Sequence, residues 1–215
     1  MEISVLWYIA QGVVWTVAIT GLSFLLGALG GVGVAGARVS AHRWIRIIAR
    51  GVVDLIRSVP PLVWLFIVYF GLAELGLKFS PFQSAIITFS IIASVYLGEI
   101  YRGGLAALGA GQIEAAKSIG LGRPDLLVRI IAPQVVRTVS PSMATYGIGL
   151  LKDSALASTI GVVEMTFRAN QVAQNTGQGL TAFAFVGVIY LLLSAPVGIW
   201  TRRFDARLRE KYLVA

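Results

Sequence analysis

The chain has 215 residues, of which 57% are hydrophobic and 13% are charged. A soluble domain carries about 25% charged residues, so the composition excludes an ordinary soluble fold and predicts an all-α membrane protein with several spanning helices. With no cysteine and a single histidine, His42, the chain has no disulfide framework, thiolate metal site or histidine cluster, and we expect no cofactor. The net charge of +8 is also typical of nucleic-acid binders, but the positions of the charges favour membrane lipid over nucleic acid as a partner.

The first membrane helix is predicted over residues 12–36, after an interfacial lead-in over residues 3–11. No charged residue occurs between Glu2 and Arg38. That length exceeds one untilted span of about 20 residues, which is why we separate the lead-in from the helix.

Residues 31–36 of this helix match the dinucleotide-binding fingerprint GxGxxG. The fingerprint requires a preceding strand within a βαβ unit, which a charge-free apolar segment does not supply. Small residues at four-residue spacing instead indicate a surface for close packing between membrane helices. These residues are Gly27, Gly31 and Ala35.

A basic amphipathic segment follows over residues 38–57. It either lies on the anionic inner leaflet or passes upward against other helices. The second span is predicted from the Pro60–Pro61 pair to about residue 77, and the third covers residues 79–98 and leads into Glu99 and Arg102. The spacing of these last two favours a local ion pair at the membrane edge, and Glu99 is also a candidate polar group on a translocation path.

The fourth helix is predicted over residues 137–163 and is interrupted by Lys152 and Asp153. A charge at the bilayer centre costs about 2.5–3.5 kcal/mol, so we expect both side chains to face protein or a cavity. They serve either a structural role or the translocation path, with Glu164 near the outer mouth. Residues 164–179 are predicted as an external loop, before a fifth helix over residues 180–201 and a basic tail.

The segment 109–133 is the longest stretch without an apolar core of membrane length. Glu114 suits the first turn of a helix, where a negative charge opposes the helix dipole. Gly120 and Gly122 end that helix after about two turns, since glycine is the usual residue just past a helix C-terminus. The sequence therefore predicts a short rigid helix between glycine hinges.

The same segment resembles the EAA loop of ABC-transporter permeases, whose pattern is E-A-A, three residues, Gly, nine residues and I-x-L-P. The matching residues are Glu114, Ala115, Ala116, Gly120, Ile130 and Pro133, and only Ala132 departs from the pattern. Residues 57–63, 99–105 and 150–156 are similar to segments of the polar amino-acid permeases.

The resemblance implies the type I ABC importer permease fold, with about five transmembrane helices in a single domain over residues 1–215 and a cytosolic coupling helix within the loop 109–133. It implies a permease subunit that imports a polar amino acid or amino-acid derivative. The implied partners are two ABC ATPase subunits, a second copy or a homologous permease, and a soluble binding protein. Coupling to the ATPases would then fall to Glu114, Ala115, Ala116 and Gly120.

Two alternatives were weighed against this function. An enzyme has no candidate constellation, and the sequence lacks a Walker-type GxxxxGK, so ATP hydrolysis would belong to the partner subunits. A secondary transporter or channel also needs intramembrane charges and broken helices. The hinged cytosolic helix favours the ATPase-driven importer, because a carrier driven by an ion gradient has no reason for a docking element.

The basic residues predict the orientation in the bacterial cytoplasmic (inner) membrane. Residues 37–57, 102–137 and 202–215 each contain five Lys or Arg, which makes 15 of the 18 basic residues in the chain. Positive charges near membrane segments concentrate on the cytosolic side. We therefore expect the N-terminus outside and the C-terminus in the cytosol after five spans.

Overall fold

The computed structural model describes residues 2–108, 111, 118, 120 and 122–213, and the regular elements among them are helical. The longer helices are α1 (Ile3–Ala10), α2 (Val13–Arg38), α3 (Arg43–Ser58), α4 (Pro61–Phe66), α5 (Pro81–Ala106), α6 (Ala132–Asp153), α7 (Met165–Thr176) and α8 (Gly179–Leu213). Short helical segments extend two of them, α4 and α6. These are Ile67–Gly71 and Leu72–Glu74 after α4, Arg123–Asp125 and Leu126–Ile131 before α6, and Ser154–Ile160 after α6. The all-α prediction is confirmed.

Three described stretches are long and apolar enough to cross a membrane, namely Ile3–Arg38, Pro81–Ala106 and Gly179–Phe204. A fourth is obtained if α3 and the stretch Pro61–Glu74, which meet at an angle of 100°, form one span. Helix α6 is less apolar, because Ser, Thr, Pro and charged residues interrupt its aliphatic positions. The prediction of a multi-span membrane protein is therefore confirmed.

Helices α2 and α5 lie side by side and run in the same direction. Near their starts the Trp15 and Phe82 rings meet edge to face at 5.2 Å. Near their ends the Tyr101 hydroxyl donates a hydrogen bond to the Ala28 carbonyl at 3.3 Å. Since two parallel neighbours both cross the membrane, the chain between them must cross back.

Small residues make this close approach possible. A side chain at Gly27 would collide with Ala93, and a Cβ at Gly98 would lie 2.7 Å from the Val34 Cβ. Gly31 and Ala35 are also buried. The predicted packing surface is thus confirmed, and the GxGxxG match lies within a continuous helix that no described strand precedes.

The return crossing is made by α3 and the helical stretch Pro61–Glu74. Their junction falls at Val59, whose backbone is extended (φ −104°, ψ 133°), as the residue before a proline prefers. Trp64 donates its indole N–H to the Ile56 carbonyl at 3.1 Å and ties the two arms together. The basic amphipathic segment thus meets the stretch Pro61–Glu74 at an angle of 100°.

Helix α6 returns antiparallel to α5, because Tyr146 stacks on Tyr96 while Val139, earlier in α6, packs against Gly104. Its α-helical part begins at Ala132 and ends at Asp153, so the predicted bounds of 137 and 163 are wrong, while the predicted interruption at Lys152 and Asp153 falls where the α-helix ends. The hydroxyls of Ser154, Ser158 and Thr159 donate to carbonyls three residues earlier. Such local bonds compete with the α-helical pattern, and the chain tightens into a 3₁₀ segment.

The predicted external loop over residues 164–179 is also wrong, because α7 occupies it. The residues of α7 that face inward pack with α1 and the first turns of α8. This small core contains Ile9, Met165, Ala169, Val172, Ala182 and Val186. The residues of the lead-in thus form a helix within a three-helix cluster, and α8 continues well beyond residue 201.

Candidate functional site

Three charged side chains meet where α2 and α5 approach the loop 109–133. Glu99 accepts hydrogen bonds from Arg38 at 2.7 Å and from Arg102 at 2.9 Å. The side chains of Arg38 and Glu99 are only 11% and 15% exposed, whereas that of Arg102 is 39% exposed. We call these three residues the Glu99 cluster. The local pair with Arg102 is confirmed, and the cross-helix bond to Arg38 is an addition that sequence reasoning missed.

The Glu99 cluster joins α2 to α5 near the end of α5, after which the chain enters the loop 109–133. One carboxylate oxygen binds an arginine of α2 and the other binds an arginine of α5. With both oxygens occupied, Glu99 is placed to hold α2 against α5 at the level where the chain leaves the bundle. A motion imposed on the end of α5 would therefore carry α2 with it.

The predicted coupling residues Glu114, Ala115 and Ala116 lie outside the described residues. Gly120 is described, and its φ of +79° lies in the left-handed region that favours glycine. A new helical stretch then begins, with the Leu126 N–H bonded to the Gly122 carbonyl at 2.9 Å. The fresh start predicted around Pro124 is thus seen in the backbone, whereas the helix predicted to stop at Gly120 falls mostly outside the described residues.

Lys152 and Asp153 do not pair with each other. Lys152 is exposed, Asp153 is half-buried, and no ion pair joins either of them to another residue in the described part of the chain. Their place at the end of α6, next to the 3₁₀ segment, brings them to a break in a helix. Polar residues at broken helices are typical of transport paths.

A stripe of polar and aromatic side chains leads from α3 to Asp153. The Arg57 guanidinium lies 5.1 Å above the centre of the Tyr96 ring. Tyr96 stacks on Tyr146, with ring centres 5.4 Å apart and planes inclined by 18°. Asp153 follows Tyr146 by seven residues on the same helix, which places the two side chains on one face two turns apart. We call Arg57, Tyr96, Tyr146 and Asp153 the polar stripe.

Sequence reasoning missed the two tyrosines and Arg57 as members of a site. Tyr96 and Tyr146 stand within otherwise aliphatic or small-residue stretches, which was a usable signal. Their partnership depends on the packing of α5 against α6, which no local pattern gives.

Glu164 has a different environment from the other candidates. It is fully buried at the start of α7, where its carboxylate accepts the Phe167 N–H at 2.7 Å and caps the helix. Thr16 of α2 and Tyr190 of α8 donate to the same carboxylate at 3.4 and 3.5 Å. Burial raises the pKa of Glu164 above its ordinary value, opposed by the backbone donors of α7. These contacts join α2, α7 and α8 at Glu164.

Comparison with known proteins places this geometry among transport systems. Residues 23–210 match the family described as "Binding-protein-dependent transport system inner membrane component". The chain is similar to the probable glutamine ABC transporter permease protein GlnM of Bacillus subtilis, with 30% identity over 190 residues, 88% of this chain and 86% of that protein. It is also similar to the nopaline transport system permease protein NocM of Agrobacterium fabrum, with 34% identity over 192 residues, 85% of this chain and 80% of that protein.

Solved structures show the same architecture. A chain from the crystal structure of an amino acid ABC transporter with histidines superposes with a TM-score of 0.84 and 28% identity, covering 93% of this chain and 94% of that chain. An inward-facing MetNI methionine ABC transporter gives a TM-score of 0.78 at 19% identity, covering 96% and 99%. At that lower identity the likeness concerns the fold alone.

Proposed function

Because this chain belongs to the family of inner membrane components of binding-protein-dependent transport systems, we propose that its polar stripe forms part of the path for a polar amino acid or amino-acid derivative. The chain is the permease subunit of an ATP-driven importer, a multi-pass protein of the inner membrane, and ATP is hydrolysed by separate subunits. This function replaces the secondary transporter or channel that composition alone left open.

The proposed class of substrate is inferred from the polar stripe. A zwitterionic amino acid presents a carboxylate and an ammonium group a few bonds apart. Arg57 offers a cation for the carboxylate, and Asp153 offers an anion for the ammonium group. The stripe therefore offers polar and charged groups along its length, which favours a polar substrate over an apolar one.

The variant Asp153→Asn removes the negative charge and keeps the shape of the side chain, so we expect it to assemble normally. We expect its uptake to be about 10-fold lower or more, since a hydrogen bond to a charged group contributes about 1.5–3 kcal/mol. The measurement is uptake and ATPase stimulation by saturating loaded binding protein in reconstituted complexes. Lys152→Met is the matched control, because Lys152 is adjacent in sequence but exposed and outside the stripe.

Two outcomes would contradict this placement. Loss of assembly in Asp153→Asn would assign the carboxylate a structural role. Equal loss of uptake in Lys152→Met would show that any charge change at the end of α6 is harmful, and the stripe would then not be the path.

The remaining assembly is part of the same proposal. The whole chain, residues 1–215, forms one transmembrane domain that pairs with a second copy or a homologous permease. Two ABC ATPases dock on the loop 109–133 through Glu114, Ala115, Ala116 and Gly120. A soluble binding protein delivers substrate at the opposite face, where α1 and α7 line a pocket with uncharged side chains that include Tyr8, Gln171 and Asn175.

The proposed orientation has the N-terminus outside and the C-terminus in the cytosol. The directions of the helices support alternate crossings, and the basic residues support the sidedness. Because the chain has no cysteine, single cysteines at Lys78, Gly122 and Gln174 can be labelled separately in intact cells. We expect an impermeant maleimide to label Lys78→Cys and Gln174→Cys from outside, and Gly122→Cys only after the cells are opened. External labelling of Gly122→Cys would reverse the topology.

A further inference from the structure

The side chain of Glu164 is closed off from water where α1, α2, α7 and α8 meet. Glu164 is 0% exposed, as are Thr16 on α2 and Met165 on α7. The backbones also meet here, since a Cβ at Gly12, between α1 and α2, would lie 2.5 Å from the Met165 nitrogen. Because this closure is complete within one copy of the chain, neither lipid nor a partner subunit can reach the carboxyl group.

The helices around Glu164 place their basic residues far from it. α1 and the 3₁₀ segment after α6 contain none. On α2 the one basic residue is Arg38, and on α8 the basic residues begin at Arg202. With a rise of about 1.5 Å per residue, these two lie about 33 Å from Thr16 and about 18 Å from Tyr190, measured along their helices. Neither arginine can compensate a charge on the carboxyl group.

The basic residue of α7, Arg168, is turned toward α1. Its guanidinium donates to the Tyr8 carbonyl at 3.1 Å and lies 4.6 Å from the centre of the Tyr8 ring. No ion pair joins it to Glu164 among the described residues. The remaining ionisable groups on or beside these elements, before the basic end of α8, are Tyr8, Tyr190, Lys152 and Asp153. Tyr190 contacts Glu164, and Lys152 is exposed.

The two carboxyl oxygens of Glu164 have unequal neighbours. Oε1 accepts the Phe167 N–H at 2.7 Å, as a carbonyl oxygen does. Oε2 has two hydroxyl neighbours, the Thr16 Oγ1 at 3.4 Å and the Tyr190 oxygen at 3.5 Å. A hydroxyl that donates to an ionised carboxylate comes to about 2.5–2.7 Å. The long distances give no sign of a negative charge on Oε2, and each hydroxyl oxygen has a lone pair that can accept a proton from it.

We propose that Glu164 is protonated in the folded permease and that release of this proton loosens α7 from α2 and α8. In the neutral form Oε2–H donates to the hydroxyl of Thr16 or Tyr190, which reverses the direction of that bond, and Oε1 still caps α7. In the ionised form the buried charge has no partner, and water reaches it only if the start of α7 moves away. Burial raises the pKa of Glu164, so the change falls at a higher pH than the value of about 4.3 for an exposed glutamate.

The first test is the thermal unfolding midpoint of the permease in the assembled transporter, measured in detergent from about pH 5 to about pH 8. Glu164→Gln resembles the neutral acid. In this range the unfolded chain has released the proton and the folded chain keeps it, so a rise in pH favours unfolding of the wild type alone. We expect the wild-type midpoint to fall behind that of Glu164→Gln by roughly 3–5 °C per pH unit, until the pH passes the pKa of the folded state. Glu74→Gln, the same change at an exposed position, should follow the wild type.

A second measurement follows α7 itself. Val172 is buried on α7 and the chain has no cysteine, so Val172→Cys places a single buried thiol on this helix. We expect the ratio of its labelling rate with Glu164 to that with Glu164→Gln to rise by up to about tenfold per pH unit. The ratio cancels the ordinary pH dependence of thiol reactivity, which both proteins share. Neither measurement depends on which substrate is transported.

Four results would overturn the proposal. A gap between the midpoints of wild type and Glu164→Gln that does not change with pH would show that Glu164 is ionised in the folded state. Failure of Glu164→Gln to assemble would show the same, because the amide resembles the neutral acid. A labelling ratio that stays constant would show that proton release does not involve α7. Stabilisation of the wild type alone by sodium chloride over choline chloride, at the alkaline end of the range, would make a cation the neutralising partner.

Discussion

The Glu99→Gln variant is expected to lower the free energy of unfolding by about 3 kcal/mol, because removing one partner of a largely buried ion pair leaves the other charge uncompensated. The variant would leave the charge of Arg38 unpaired. The Arg38 side chain is only 11% exposed, and Glu99 is its one acidic hydrogen-bond partner among the described residues. The change keeps the shape of the side chain and removes only the charge. It should therefore act on the pair itself rather than on packing.

The measurement is the thermal unfolding midpoint of the purified permease in detergent, with the yield of membrane-inserted protein as a second readout. Arg102→Gln should cost less, because Arg102 is 39% exposed and its loss leaves the Arg38–Glu99 bond intact. Asp125→Asn is the matched surface control. Its partner Arg129 also lies within one helical turn, at 2.9 Å, but the two side chains are 50% and 75% exposed, so we expect less than about 0.5 kcal/mol.

The contrast between these variants is what distinguishes the interpretations. If Glu99→Gln unfolds at the wild-type midpoint, the Glu99 cluster does not hold α2 to α5. If Asp125→Asn is equally harmful, the effect belongs to charge in general. A Glu99→Gln protein that is stable yet transports poorly would instead support the sequence-based hypothesis that Glu99 lies on the path.

The Glu99 cluster also shows how far the sequence reaches. The bond to Arg102 follows from helical spacing over three residues, and it was predicted. The bond to Arg38 spans 61 residues and depends on two helices running parallel. No local sequence pattern predicts that α2 and α5 run parallel, because an antiparallel pair would bury the same apolar residues. The spans are thus predictable from apolar length, while the contacts that join them require the three-dimensional arrangement.

The two errors in helix prediction have local physical causes. Beyond Asp153 the apolar pattern continues, but three hydroxyls bond backward to carbonyls and Gly161 ends the segment at a φ of +92°. Within residues 164–179 the high polarity suggested a loop. The signal for α7 was present in Met165, Ala169 and Val172, whose spacing places them on one face. Weighing average polarity above periodicity produced that error.

Transport, by contrast, is expected to fail almost completely in Gly120→Leu while the protein still inserts in the membrane. Two separate costs act at this position. The φ of +79° is unfavourable for any residue with a Cβ, by about 1 kcal/mol. The proposed docking of the ATPases also requires a close approach that a leucine side chain would prevent. No described atom lies within 4 Å of a Cβ built there.

Substitutions of different kinds separate the two costs. Asn tolerates the left-handed conformation, so Gly120→Asn removes most of the backbone cost and keeps a side chain. Gly76→Leu is the matched control at the opposite end of the molecule. It has a similar φ of +86°, and it too has no neighbour within 4 Å of a built Cβ. If the ATPases dock at Gly120, Gly120→Asn should lose transport nearly as fully as Gly120→Leu, and Gly76→Leu should transport normally.

The measurements are ATPase co-purification with the permease and uptake into vesicles that contain the partner subunits. If Gly120→Asn transports normally, Gly120 is needed only for its left-handed backbone conformation and not for close docking. Normal transport in Gly120→Leu would remove the loop from the coupling mechanism, including the parts assigned to Glu114, Ala115 and Ala116. Loss of ATPase co-purification together with transport would locate the defect in docking, because a defect confined to transmission leaves the subunits associated and stops only the movement of substrate.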